Sequence, residues 1–90
     1  MPKNDLSQAL QQIHAKNIPL PPQRYALLEY LYAQDGYATV KDICEALIER
    51  YPHLQATTVY SSLLVFKRLG LVRELAWNNA SPRYEAAICS

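Results

Sequence analysis

The stretch QATTVYSSLLVFKRLG, residues 55–70, predicts one amphipathic helix that ends at a glycine. Its apolar side comprises Val59, Leu63, Phe66 and Leu69, which recur at the spacing of a buried helix face. The other side of this helix, predicted over 57–69, mixes hydroxyls and two basic residues with apolar ones. Whether such a helix reads DNA depends on the elements predicted around it.

Two helices are predicted near the start of the chain. An apolar stripe through Leu6, Leu10 and Ile13 predicts a leading helix over about 5–16. The segment NIPLPP then interrupts the chain, because proline is excluded from a helix interior. A second helix is predicted over about 22–34, since proline is tolerated in a first helical turn.

A third helix and a β-ribbon complete the predicted domain. Thr39 is expected to cap the third helix together with Asp42, and Tyr51-Pro52 to stop it. After the fourth helix, strand-like residues 71–77 and 83–88 flank the turn-rich segment NNASP. The sequence therefore predicts a single, mainly α domain over 1–90: a leading helix, a three-helix core over 22–70 and a two-stranded antiparallel wing over 71–88, which together make a winged helix-turn-helix.

Length and charge restrict the class of protein. Ninety residues with a net charge of +1 are sufficient for one small domain, and no apolar run is long enough for a membrane span. We therefore expect a soluble, cytoplasmic protein with no membrane association. The charge balance is +2 over 1–28, −4 over 29–49 and +3 over 50–90, which suits a domain that presents one cationic face.

Residues that carry catalytic or metal chemistry are few and isolated. Cys44 and Cys89 form no CxxC pair, and His14 and His53 stand alone in the sequence. No nucleophile–base set, phosphate loop or close carboxylate pair can be identified. We therefore expect neither an enzyme nor a cofactor.

The first turn of the fourth helix offers side chains for a major groove. The expected contacts are Thr57, Thr58, Tyr60 and Ser61, because hydroxyls bind bases or phosphates and a tyrosine ring touches a thymine methyl. Alternatively, the two threonines only start the helix and Tyr60 covers the edge of the core. The residues alone leave both alternatives open.

Three motifs in order, PPQRYALLEYL, ATTVYSSLLVFKRLGLVREL and NASPRYE, resemble the Fur family of metal-dependent bacterial repressors, and most of all its peroxide-responsive PerR-like branch. The resemblance implies an N-terminal winged-helix DNA-binding domain and a role as a transcriptional regulator of A/T-rich operators. It also implies that Arg24, in the P-Q-R motif, meets the DNA backbone and that Tyr60 contacts bases.

The chain also departs from the family pattern. It stops near the point where relatives continue into a dimerisation and metal-sensing domain, so we expect a monomer or a weak dimer. Two metal ligands that PerR-like proteins take from this domain are replaced by Tyr37 and Asn79. Neither a phenol nor an amide is a good substitute, so no specific metal site is expected.

Further departures concern the DNA-facing side. Pro19 and Pro21 replace a basic and a capping residue, and Ser61 and Leu64 stand where relatives carry polar or basic residues. Leu64 beside Val65 predicts an apolar spot on the outward face of the fourth helix.

Two functions follow from the sequence. The first is DNA binding, with Arg24, Lys67, Arg68 and Arg73 as phosphate contacts. The second is a protein-interaction module, in which a degenerate recognition helix docks on a protein partner through Leu64 and Val65.

Overall fold

The computed structural model describes residues 6–76 and 80–87. Four helices and three strands lie in these ranges: α1 Leu6–Ala15, α2 Pro22–Ala33, β1 Ala38–Thr39, α3 Val40–Leu47, α4 Ala56–Arg68, β2 Val72–Leu75 and β3 Arg83–Ala86. Several predicted features lie outside the described residues: the first residue of the leading helix, the strand ends Trp77 and Ile88, the turn residues Asn78 and Asn79, and the tail residues Cys89 and Ser90.

Helix α3 starts with the predicted capping box. The Thr39 side-chain oxygen accepts a hydrogen bond from the Asp42 backbone N–H at 3.1 Å, and the Asp42 carboxylate accepts one from the Thr39 N–H at 3.0 Å. Two backbone donors that a helix start leaves unpaired are thereby satisfied. The sequence prediction for this helix start is confirmed.

Helix α4 also ends as predicted, at a glycine. Gly70 has a φ of +78°, which residues with a Cβ rarely adopt, and its N–H donates to the Lys67 carbonyl at 3.0 Å. The Leu71 N–H donates to the Phe66 carbonyl at 2.9 Å, so the last turn of the helix is closed by two backbone hydrogen bonds. The chain then turns directly into β2.

The sheet contains one strand more than the two-stranded wing that the sequence predicts. β3 lies in the middle, with β2 and β1 antiparallel on either side. In the register, Tyr84 pairs with Ala38 of β1 and with Glu74 of β2. β1 therefore joins the start of α3 to the wing, and the predicted strand over 71–77 is shorter in the structure.

The core lies between the helices and the inner face of this sheet. Its largest fully buried side chains are Phe66, Ile13, Leu27, Leu28, Leu31, Ile43, Leu63, Leu71 and Val59. Leu69, expected on the buried face, is only partly buried. The arrangement confirms the predicted winged helix and leaves the opposite face of α4 exposed. None of the described helices is long and apolar enough to cross a membrane.

Candidate nucleic-acid interface

The outward face of α4 carries most of the residues predicted to contact DNA. Its inward positions are filled by core side chains, so helical periodicity directs the others to solvent. Thr57, Ser61 and Arg68 are exposed, Tyr60 is 50% exposed, and Thr58 is half-buried. The Ser61 hydroxyl donates to the Thr58 carbonyl at 3.0 Å.

A groove separates this face from the wing. It is lined by Tyr60, Leu63, Leu64, Lys67, Glu74 and Tyr84. At one end the Lys67 ammonium lies 2.6 Å from the Glu74 carboxylate. Burial, then the charge of Glu74 and the neighbouring Tyr60, raises the pKa of the Tyr84 phenol, so the phenol stays neutral in this groove.

Arg24 connects α2 to α4 beside a second cleft. Its Nε donates to the Ser62 hydroxyl and one terminal nitrogen to the Pro19 carbonyl, each at 3.2 Å. Ser62 is 1% exposed, and it is the buried polar residue of the described ranges. Thr58 lines the same cleft. The guanidinium is therefore held against the middle of α4, in a cleft that Thr58 of the first turn also lines.

The remaining predicted cations differ in their pairing. Arg73 on β2 lies 3.4 Å from Glu85 on β3, its partner in the register. Arg68 forms no ion pair with any residue in 6–76 or 80–87. Within the described part of the chain, Lys67 and Arg73 thus each have a carboxylate partner and Arg68 has none.

The two residues predicted to contact a protein partner differ in their exposure. Leu64 is 46% exposed, but Val65 is half-buried and packs against the core. The apolar spot on this face therefore consists of Leu64 and the ring of Tyr60, rather than of Leu64 and Val65.

Sequence reasoning missed three residues that shape this surface: Ser62, Glu74 and Glu85. One of them left a signal in the sequence, because Ser62 interrupts the apolar stripe at a position that faces the core. The two glutamates left none, since their partners depend on how the wing lies against α4.

The comparisons with known proteins agree with this geometry. A model of the ferric uptake regulator family matches residues 15–90. The chain belongs to this family. The peroxide operon regulator of Bacillus subtilis strain 168 is 38% identical to it over 85 residues, which cover 94% of this chain and 59% of the relative. The peroxide-responsive repressor PerR of Staphylococcus aureus strain Mu50 is 31% identical over 83 residues, 92% of this chain and 56% of the relative.

Solved structures of the family share the fold. PerR from Streptococcus pyogenes superimposes with a TM-score of 0.85 at 24% identity, over 92% of this chain and 57% of that one. A zinc uptake regulator complexed with zinc and DNA gives a TM-score of 0.78 at 30% identity, over 90% and 52%. The chain thus spans between half and two thirds of the length of these relatives.

The residues present do not fit the metal site that the family resemblance implies. Tyr37 offers a phenol that is 44% exposed, and Asn79 lies outside the described residues. Among residues 6–76 and 80–87, no three His, Cys, Asp or Glu side chains come together. Burial, followed by the charge of Glu45, raises the pKa of the Cys44 thiol, which disfavours the thiolate that a metal requires.

Proposed function

We propose that this chain is the DNA-binding domain of a Fur-family transcriptional repressor, with α4 in the major groove of double-stranded DNA. The observation that carries the proposal is the exposed face of α4, on which hydroxyls and Tyr60 precede Arg68, a cation with no ion-pair partner among residues 6–76 and 80–87. An α-helix fits the major groove, and such side chains bind base edges and phosphates. The similarity to a zinc uptake regulator complexed with zinc and DNA supports DNA as the ligand.

The proposed contacts are of two kinds, those to bases and those to phosphates. Tyr60 reads bases, with Thr57, Thr58 and Ser61 at bases or phosphates of the same site. Arg24, Arg68 and Arg73 contact phosphates, which fixes the position of the domain without specifying sequence. Arg24 is the best positioned of these cations, because Ser62 and the Pro19 carbonyl hold its guanidinium.

A single domain of this kind is expected to bind weakly. Two linked modules gain avidity through effective concentration, and a monomer or weak dimer forfeits that gain. Each contacted phosphate adds about one unit to the slope of log K against log salt, so the few contacts of one domain give low affinity and a correspondingly modest salt dependence. We propose an A/T-rich operator as the target, in the bacterial cytoplasm, and no catalytic activity.

Fluorescence anisotropy on a labelled A/T-rich palindrome at low salt tests the proposal. Tyr60→Ala should reduce the preference for this duplex over a G/C-rich one of equal length. Arg24→Ala should weaken binding to both duplexes alike. Equal and poor binding by the wild-type chain and both variants would contradict DNA recognition.

A protein-interaction module is the second candidate function. The exposure of Leu64 favours it, as do the ion pairs that neutralise Lys67 and Arg73. In that case Tyr60→Ala and Arg24→Ala leave DNA binding unchanged, and Leu64→Asp abolishes a protein complex in a pull-down. The anisotropy and pull-down results together distinguish the two functions.

A further inference from the structure

Leu64 is an exposed apolar residue on the proposed DNA-facing surface. It is 46% exposed, and its side chain lines the groove to the wing together with Tyr60, one helical turn earlier. One turn later on the same stripe comes Arg68, which has no ion-pair partner in the described part of the chain. An aromatic ring, an apolar side chain and a free cation therefore follow one another along one face of α4.

This row of residues matches DNA better than it matches an apolar protein surface. A protein that covered Leu64 with apolar side chains would also have to desolvate Arg68, and an unpaired buried charge is costly. A major groove accommodates both residues, because it offers an apolar thymine C5-methyl group next to phosphate oxygens. Leucine has no hydrogen-bonding group, so the thymine methyl is the feature of a base edge that it contacts favourably.

We propose that Leu64 is a specificity-determining residue that contacts a thymine methyl group in the major groove. This inference rests on the proposed DNA-binding function and extends its base readout beyond Tyr60. Residues four apart on a helix are separated by a rise of about 6 Å, and successive base pairs by about 3.4 Å. The thymine read by Leu64 should therefore lie about two base steps from the one beneath Tyr60.

Replacement of thymine by deoxyuridine tests the contact directly, because it removes the methyl group and keeps base pairing. The probe is a duplex selected by the wild-type chain from a randomised pool at low salt, with each thymine replaced in turn. For wild type, loss of the methyl opposite Leu64 should weaken binding about fourfold, the value expected for one buried carbon. For Leu64→Ala the same replacement should have no effect on affinity. Replacement of the thymine beneath Tyr60 should still weaken binding, and each such loss of affinity is called a deoxyuridine penalty.

Ile48→Ala is the matched control. Ile48 is 43% exposed, has the same number of carbons as leucine and lies at the C-terminal end of α3 rather than on α4. This variant should retain every deoxyuridine penalty of the wild-type chain. If the penalties of Leu64→Ala equal those of wild type at all positions, the inference is wrong although DNA binding stands. If the wild-type chain selects and binds no duplex, the proposed function and this inference both fail.

Discussion

The Lys67 ammonium on α4 lies 2.6 Å from the Glu74 carboxylate on β2. The wing thereby neutralises a cation on the helix that is proposed to enter the major groove. The pair is exposed, so it contributes little to the free energy of unfolding. Its larger consequence concerns DNA, because a lysine engaged with a carboxylate displaces fewer counterions from phosphates.

Glu74→Gln should therefore strengthen DNA binding. Release of Lys67 for one phosphate contact should steepen the slope of log K against log salt by about one unit and raise the affinity at low salt by up to about tenfold. Anisotropy titrations over a salt series measure both quantities. Glu29→Gln serves as the control, because it removes the same charge from a pair with Arg50, 3.9 Å apart, in which neither residue belongs to α4 or the wing strands. Equal changes of affinity and salt slope in the two variants would indicate that the net charge of the chain, rather than the release of Lys67, causes the effect.

Ser62→Ala should weaken DNA binding through the position of Arg24. The hydroxyl accepts a hydrogen bond from Arg24 Nε, so its loss frees the guanidinium to move while its charge remains. We expect a loss of affinity for all sequences with an unchanged salt slope, whereas Arg24→Ala should also lower the slope by about one unit. In the Arg24→Ala background, Ser62→Ala should have no further effect on binding. A full additional loss in that double variant would show that Ser62 acts independently of Arg24.

The capping box predicts how stability depends on pH. Hydrogen bonds from the Thr39 backbone and side chain lower the pKa of the Asp42 carboxyl in the folded chain. The Asp42 contribution to stability is thus fully present above the unfolded pKa of about 4 and is lost as pH falls through the lower folded value. Thermal melts should show Asp42→Asn less stable than wild type at neutral pH, with a difference that shrinks on acidification.

Glu45→Gln provides the control for this prediction. It removes a negative charge from the same helix beyond its first turn, where no cap is formed. Its effect on the melting temperature should be smaller and should not follow the acid profile of Asp42→Asn. A constant difference between Asp42→Asn and wild type across the pH series would contradict the assignment of the effect to the ionised cap.

Local sequence signals account for the parts of the fold that were predicted. The Thr39–Asp42 box and the Gly70 stop are decided within a few residues of chain, as is the apolar spacing of α4. The same spacing correctly placed Leu64 on the exposed side, whereas the position of Tyr60 was left open by the residues alone. Such features depend little on the rest of the molecule, so the helices could be predicted to within a few residues.

The features that were missed depend on long-range pairing. β1 comprises only Ala38 and Thr39, too short for a period-two pattern, and it exists because β3 lies beside it. The ion pairs Lys67–Glu74 and Arg73–Glu85 likewise arise from the turn into the wing and the strand register. A count of basic residues therefore could not show which cations of the candidate interface are already paired with carboxylates.

The chain should hold no specific metal ion. The family resemblance implies metal ligands at the positions of Tyr37 and Asn79, which offer a phenol and an amide, and the exposed His14 and His53 lie on separate segments. Zinc sites require several nitrogen, sulfur or carboxylate ligands together, and burial raises the pKa of the Cys44 thiol. After incubation with Zn²⁺, Fe²⁺ or Mn²⁺ and passage through a weak chelator, mass spectrometry should find far less than one ion per chain. DNA affinity should also be the same with and without chelator. One retained ion per chain would show that residues other than the family ligands form a site.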